Sequence, residues 1–148
     1  MNLKRYSIGV ISSFVSLMVL GYLLHGVLLK PMYATAPAGL LRTDPEMMAR
    51  FHWLVLGNLL FAAAATWIYA YGVESKPWLA QGVRYGVALW ILGVLAPNLI
   101  MFTIQPWTRN IMIKITLADL VSMVVTGVVI AAVYKNSAGI PRSSRATA

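Results

Sequence analysis

Four apolar segments, each about as long as a bilayer is thick, constrain most strongly what this chain can fold into. They cover residues 7–29, 51–71, 81–104 and 111–134. A helix of about 20 apolar residues crosses the hydrocarbon of a membrane. Short links place neighbouring helices antiparallel. The sequence therefore predicts an all-α polytopic membrane protein, an antiparallel bundle of four transmembrane helices.

The composition supports a membrane protein and excludes several classes of site. The 148 residues are 59% hydrophobic and only 11% charged, with a mean hydropathy of +0.74. Soluble domains carry about 25% charged residues. The chain has no cysteine, which excludes disulfides, thiolate metal sites, iron–sulfur clusters and a Cys nucleophile. Because no catalytic motif or phosphate loop occurs either, we expect neither an enzyme nor a bound cofactor or metal.

The chain reads as one transmembrane domain over residues 1–135, followed by a disordered tail over residues 136–148. Asp44-Pro45-Glu46 predicts a helix start ahead of the second segment, with Asp44 as its cap. A cleaved signal peptide is the alternative for the first segment, because Ala34-Thr35-Ala36 resembles a cleavage site. The length of the apolar run and the charge of Lys30 favour a retained helix.

Each apolar segment carries one polar residue at about the same depth. His25 and Asn98 lie near the ends of the first and third segments, and Asn58 and Asp119 lie near the starts of the second and fourth. If the segments alternate in direction, all four residues lie roughly 7 to 12 Å below one membrane surface. Polar side chains in hydrocarbon tend to face one another or a cavity. The sequence predicts a polar intramembrane cluster, with Asp119 meeting Asn98 and with His25 or Asn58 nearby.

Asp119 is the only acidic residue inside an apolar segment, and hydroxyl residues follow the same helical face. Thr116, Ser122 and Thr126 lie three before, three after and seven after it. One interpretation is a ligand, proton or cation site centred on Asp119. The other is a structural role, in which Asp119 is buried neutral or paired with Asn98, His25, Lys114 or Arg109. Both remain open from the sequence.

The two histidines allow a more distant interpretation. His25 and His52 belong to neighbouring segments on the same membrane side, and two His ligands are the minimum for haem in a helical bundle. A zinc site would need further ligands, and only Asp119 lies at a similar depth. A haem-binding redox protein is thus a distant alternative.

Small residues indicate where helices approach closely. Gly82, Gly86 and Gly93 share a face of the third segment, which predicts packing through Gly86 and Gly93 with the third helix at the centre. Arg84 lies between two of these glycines near a membrane interface. Its long side chain can reach the surface and contact a lipid phosphate.

The net charge of +8 does not indicate a nucleic-acid-binding protein, because the basic residues are scattered at segment ends, where they can contact lipid head groups. Their distribution instead predicts the orientation in the membrane. The side with more Lys and Arg faces the cytoplasm. Both termini share the richer side, so we expect them in the cytoplasm, with the protein in a bacterial inner membrane. The richer side has seven basic residues, Lys4, Arg5, Lys76, Arg84, Lys135, Arg142 and Arg145, against five on the other, Lys30, Arg42, Arg50, Arg109 and Lys114.

Three stretches resemble an uncharacterised family of small bacterial four-helix membrane proteins, known as a domain of unknown function. They are residues 21–26 with Pro31-Met32-Tyr33, then residues 82–93, then residues 113–134 with Asp119 and Gly127. The first segment lacks the Trp-Tyr pair expected at its outer end. The resemblance implies a compact four-helix inner-membrane protein and no activity.

Three functions follow as alternatives. The first is a non-catalytic accessory subunit or small-molecule- or lipid-binding protein, whose partners are membrane lipids and either a larger membrane complex or further copies of itself. The second is a small proton-coupled transporter that uses Asp119, working as an oligomer because four helices leave little room for an aqueous path. The third is the haem protein.

Overall fold

The computed structural model describes residues 2–135, and these residues are helical, without strands. Four long helices cover Leu3–Leu28, Phe51–Gly72, Trp78–Ile104 and Arg109–Tyr134. Each is long and apolar enough to cross a membrane. The four helices predicted from the apolar segments are therefore confirmed, and the predicted disordered tail lies outside the described residues.

Side chains at the helix starts explain where the helices begin. The Asn2 side chain accepts a hydrogen bond from the Arg5 backbone N–H, so the first helix starts a turn earlier than the apolar run. A short helix, Asp44–Ala49, precedes the second long helix. Its cap is Thr43 and not Asp44, because the backbone N–H and hydroxyl of Thr43 both donate to the Glu46 carboxylate. These bonds hold the pKa of Glu46 below its usual value.

Two of the long helices contain a π-helical segment. In the first, Tyr22–Leu28 is π-helical, and the Leu29 N–H donates to the Leu24 carbonyl, five residues back. In the third, Ile91–Leu95 is π-helical and separates Trp78–Trp90 from Ala96–Ile104. π-Helical turns are rare and occur frequently at functional sites. Each π-helical segment contains or closely precedes the predicted polar residue of its helix, which is His25 in the first and Asn98 in the third.

The fourth long helix, and not the third, is the centre of the bundle. It contacts the other three and is the most deeply buried. The prediction of a central third helix was wrong, because Gly82 and Gly86 both pack against the fourth helix, which also contacts the first and second. A Cβ on Gly86 would lie 2.5 Å from Met123 O and Val124 Cα. Gly93 does not join this contact, since its nearest neighbour is the Phe61 ring of the second helix.

The bundle is closed at one end and looser at the other. At the closed end, the first helix contributes Gly9, whose Cα is beside Thr66, and a core packs between the second and fourth helices. That core consists of Ala65, Tyr69, Ile130, Ala131 and Tyr134. In the second helix, by contrast, residues 51–60 are exposed or half-buried. The looser end is the one that contains His25 and Asp119.

Candidate functional site

His25 joins two other polar residues in one hydrogen-bonded chain. Its Nε2 lies 2.9 Å from Asp119 Oδ1, and its Nδ1 lies 2.6 Å from the Tyr33 hydroxyl. The His25 and Tyr33 rings are nearly parallel, at an interplanar angle of 15°. The chain thereby connects the first long helix, the short helix Lys30–Tyr33 that follows it, and the fourth long helix.

The state of Tyr33 determines which atoms of these three hydrogen-bonded side chains carry protons. Burial, together with the nearby charge of Asp119, raises the pKa of Tyr33 to about 12. The phenol therefore keeps its proton near neutral pH and can donate to Nδ1 of His25. A neutral His25 then carries its proton on Nε2 and donates to Asp119, which satisfies all three groups. A second proton on the imidazole would turn the His25–Asp119 contact into an ion pair.

The pair is neither sealed from its surroundings nor fully exposed. The side chain of His25 is 30% exposed and that of Asp119 is 22% exposed. His25 lies within the π-helical segment Tyr22–Leu28, and Asp119 lies three turns into the fourth helix. A π turn shifts the direction of a side chain relative to an α-helix, which is how the first helix aims His25 at the fourth. Part of each side chain thus lies at the surface of the bundle.

Asn98 forms a second polar contact one turn away from Asp119. Its Nδ2 donates to Thr116 Oγ1 at 3.0 Å, and Trp90 Nε1 donates to the Thr116 carbonyl at 2.8 Å. The predicted Asp119–Asn98 contact is therefore replaced by Asp119–His25 and Asn98–Thr116. Both contacts involve the fourth helix. From adjacent turns, Asp119 contacts His25 of the first helix and Thr116 contacts Asn98 of the third.

Asn58 and His52 lie apart from the chain of Tyr33, His25 and Asp119. Asn58 Nδ2 donates to the Leu54 carbonyl of its own helix at 2.9 Å. His52 is exposed, and its ring lies 5.1 Å from the ring of Trp53. The predicted depth of Asn58 in the membrane grouped it with the cluster. In the structure, Asn58 lies in the loosely packed start of the second helix. The structure therefore brings together two of the four predicted residues, His25 and Asp119.

The arrangement does not resemble a metal or haem site. Within residues 2–135, no group of three His, Asp or Glu side chains converges as metal ligands would. Both ring nitrogens of His25 take part in hydrogen bonds, so neither offers a free lone pair in this geometry. His52, the second ligand that haem would need, makes its ring contact with Trp53 instead.

The hydroxyl residues of the fourth helix are buried as the predicted stripe requires. Thr116, Ser122 and Thr126 are all less than 6% exposed. Thr116 has its partner in Asn98, whereas the Ser122 and Thr126 hydroxyls are buried with no hydrogen-bond partner among the residues that the structure describes. The stripe thus divides into one bonded hydroxyl above Asp119 and two unpaired hydroxyls below it along the helix.

A separate cavity of about 300 Å³ lies at the turn between the second and third long helices. Arg84 borders it and is exposed, in keeping with its predicted place at an interface. Gln81 is nearly buried in its wall, where it accepts from the Tyr69 hydroxyl and donates to the Glu74 carbonyl. The lining residues are Ile68, Tyr69, Gly72, Glu74, Lys76, Gln81, Arg84 and Tyr85.

Reasoning from the sequence missed Tyr33 as part of the site. Tyr33 lies eight residues after His25 and outside the apolar segment, so a search for polar residues within segments passes over it. The signal that could have found it is the short spacing from His25 to an aromatic hydroxyl just beyond the helix end. Trp90 was missed for a similar reason, since it resembles an ordinary apolar residue of the third helix.

Comparison with known protein families, with curated proteins and with solved structures found no match to this chain. The resemblance to the small four-helix membrane family therefore stays a prediction. Any function must be argued from the residues themselves.

Proposed function

We propose that this chain is an integral membrane protein whose four long helices cross the bilayer in alternating directions. Large apolar side chains are exposed along all four, among them Ile11, Leu60, Leu92 and Leu117. Monomeric soluble proteins rarely expose apolar patches of more than a few hundred Å². The contacts support the alternation, because Gly9, near the start of the first helix, adjoins Tyr134 at the end of the fourth.

The membrane is the bacterial inner membrane, with both termini cytoplasmic. This orientation is supported by the excess of basic residues on the side of the termini. In this orientation Tyr33, His25 and Asp119 lie in the outer half of the bilayer. The closed end of the bundle, with Tyr69 and Tyr134, lies in the inner half.

The function proposed for the protein is proton transport across the membrane, with the His25–Asp119 pair as the proton-binding site. The observation that carries this proposal is the 2.9 Å contact between two titratable side chains on different membrane helices. Chains of Asp, Glu and His inside membranes mark proton relays in pumps and transporters. Histidine is also the side chain whose ordinary pKa lies closest to neutral pH.

Protonation offers a way to move the helices. A doubly protonated His25 forms a charged pair with Asp119, whereas a neutral His25 makes only a hydrogen bond to it. Loss or gain of the proton therefore changes how strongly the first helix is held to the fourth. The π-helical segment around His25 is the part of the first helix able to rearrange locally.

The order Tyr–His–Asp resembles that of a catalytic triad, but the chemistry argues against an enzyme. A nucleophile is activated by a lowered pKa or an adjacent base that removes its proton. Burial and Asp119 raise the pKa of Tyr33 to about 12, which makes its phenolate hard to form. The role proposed for Tyr33 is to hold the ring of His25, and the protein is not an enzyme.

Proton movement can be measured in vesicles that contain the purified protein, a trapped pH-sensitive dye and a potassium gradient. Valinomycin then sets an inward-driving potential. We expect wild-type protein to admit protons faster than protein-free vesicles, and Asp119→Asn and His25→Gln to lose this flux while remaining helical by circular dichroism. Asn58→Leu is the matched control, because it removes an intramembrane polar side chain that lies outside the pair.

Two results would overturn the proposal. One is a wild-type flux no faster than that of protein-free vesicles. The other is an Asp119→Asn flux equal to that of wild type. Either would leave the His25–Asp119 contact as a purely structural link between two helices.

A second function is favoured by one observation, the cavity beside Arg84. A guanidinium at the edge of a cavity of about 300 Å³ is suited to a lipid phosphate, which supports a lipid-binding or accessory role. Lys76 adds little charge because it pairs with Glu74. Phosphorus analysis of purified protein tests this role: Arg84→Gln should retain less phospholipid than wild type, and equal retention would count against it.

A further inference from the structure

The fourth helix carries a line of side chains that continues inward from Asp119. Ser122, Thr126, Ile130 and Tyr134 follow it at spacings of three or four residues, which places all of them on one face. Each step of four residues advances about 6 Å along the axis. The line therefore runs from the His25–Asp119 pair to the far end of the helix.

The hydroxyl groups of this line are buried and unpaired. The exposed fractions of Ser122, Thr126 and Tyr134 are 4%, 0% and 6%, and none of their hydroxyls has a hydrogen-bond partner within residues 2–135. Other hydroxyls in the same bundle do bond to a carbonyl four residues back, as Ser13 does to Gly9. The fourth helix thus places three hydroxyls inside the bundle that are free to form hydrogen bonds. Buried hydroxyls normally bond to protein groups or to buried water.

A second group of polar side chains lies at the closed end of the bundle. Ser13 Oγ and Thr66 Oγ1 are 3.4 Å apart, and both residues are fully buried. Gly9 connects this pair to Tyr134, since a Cβ at Gly9 would lie 3.6 Å from both Thr66 Oγ1 and Tyr134 Cε2. Thr66 of the second helix and the ring of Tyr134 of the fourth therefore both border Gly9 of the first.

Along the fourth helix, Ile130 separates Thr126 from Tyr134. It is fully buried and belongs to the core with Ala65 and Tyr69. A buried water needs two to four polar partners, and an isoleucine side chain supplies none. The line of hydroxyls is consequently interrupted by one apolar side chain, midway between Thr126 and Tyr134.

From these contacts we propose that Ser122 and Thr126 bind water and extend the proton path inward from Asp119, and that Ile130 is the apolar barrier across it. Ser13, Thr66 and Tyr134 form the continuation on the inner side of the barrier. Protons pass along the hydroxyls and bound water when Ile130 moves aside. This inference rests on the proposed function, because it gives the route by which protons of the His25–Asp119 pair cross the bundle.

The vesicle assay described above tests the route with two opposite changes. Thr126→Val keeps the shape and removes the hydroxyl, so the flux should fall to that of protein-free vesicles. Ile130→Thr adds a hydroxyl at the barrier, so the flux should exceed that of wild type. Matched controls are Thr103→Val, which removes an exposed hydroxyl near the end of the third helix, and Val121→Thr, which adds one on an exposed face of the fourth.

A second measurement reads the water directly. Radiolysis generates hydroxyl radicals from bound water, and mass spectrometry then locates the oxidised side chains. We expect oxidation within residues 122–130 of the buried face of wild type, and its loss in the double variant of Ser122→Ala and Thr126→Val. Helix content by circular dichroism shows that each variant is folded.

The outcomes separate the two proposals. A wild-type flux equal to that of protein-free vesicles overturns the proton function and, with it, the route. If wild type conducts and Asp119→Asn does not, but Thr126→Val and Ile130→Thr both behave like wild type, the function stands and the route is overturned. Absence of oxidation at the buried face would likewise overturn the route.

Discussion

At the scale of single residues, Tyr33 determines how His25 faces Asp119. Its hydroxyl lies 2.6 Å from Nδ1 of His25 and keeps its proton, because burial and Asp119 raise its pKa to about 12. Nδ1 of a neutral His25 is thereby the acceptor, and the ring proton is on Nε2, toward the carboxylate. In the proposed function, Tyr33 is accordingly a positioning residue for the pair and does not itself bind the transported proton.

Tyr33→Phe should abolish one pH-dependent part of the stability. Because folding raises the pKa of Tyr33 from 10.0 to about 12, its contribution is complete below pH 10 and is lost as the pH rises toward 12. The variant should be less stable by about 1 kcal/mol at neutral pH, the usual value of one hydrogen bond. Thermal unfolding in detergent across this pH range measures the difference.

Tyr22→Phe is the control for this experiment, since Tyr22 is exposed on the first helix. Its pH profile should follow that of wild type. A constant difference between wild type and Tyr33→Phe from pH 8 to pH 12 would contradict the assignment of the raised pKa to Tyr33.

Depth along a helix can be read from the sequence, but rotation around the helix axis cannot. Counting residues placed His25 and Asp119 in the same half of the bundle, which is where they meet. The same count placed Asn58 with them, although its side chain bonds to its own helix. The π-helical segment changes the direction of His25 in a way that a regular spacing of 3.6 residues does not predict. The sequence named His25 among several possible partners of Asp119, and the structure selects it in place of Asn98.

At the scale of helices, the contact between the third and fourth is made by backbone against backbone. Gly82 and Gly86 face Gly127 and its neighbours so closely that added Cβ atoms would lie within 3.0 Å of backbone atoms. The small-residue spacing predicted a close approach through Gly86. It did not identify the fourth helix as the neighbour or show that Gly93 faces Phe61. The spacing of glycines shows which face of a helix lacks side chains, but not which helix packs against that face.

Gly86→Ala should weaken the bundle. The new methyl group would lie 2.5 Å from Met123 O and Val124 Cα, and neither backbone atom can rotate away. Overpacking of this kind costs about 1–3 kcal/mol. Gly57→Ala supplies the control, since nothing lies within 4 Å of its added Cβ. Thermal unfolding in detergent should therefore show a lower midpoint for Gly86→Ala alone, and equal midpoints would contradict the close contact.

At the scale of the whole molecule, the two ends of the bundle differ in packing. Tyr69, Tyr85 and Tyr134 close one end, where the rings of Tyr69 and Tyr85 lie 5.1 Å apart. The other end leaves the start of the second helix exposed and contains the His25–Asp119 pair. The sequence predicted four helices from their length and apolar character. It could not predict this asymmetry, because the second helix is apolar along its whole length. Its hydrophobic pattern therefore does not show which part packs against other helices.

The orientation can be tested with single cysteines, because the natural chain contains none. Thr43→Cys lies before the short helix Asp44–Ala49, and Ser75→Cys lies in the turn between the second and third long helices. With the termini in the cytoplasm, a membrane-impermeant maleimide added to intact cells should label Thr43→Cys and leave Ser75→Cys unlabelled. Permeabilised cells provide the control for reactivity. The opposite labelling pattern would invert the proposed orientation.

The central position of the fourth helix has a consequence for biosynthesis. A ribosome produces this helix after the other three, yet it is the one that contacts them all. Until it emerges, Gly82 and Gly86 lack the backbone they fit against, and His25 lacks the carboxylate that it binds. Before then, the first and second helices can already pack against each other, whereas the third lacks its main partner. Addition of the fourth helix then completes the glycine contact and the polar site in one step.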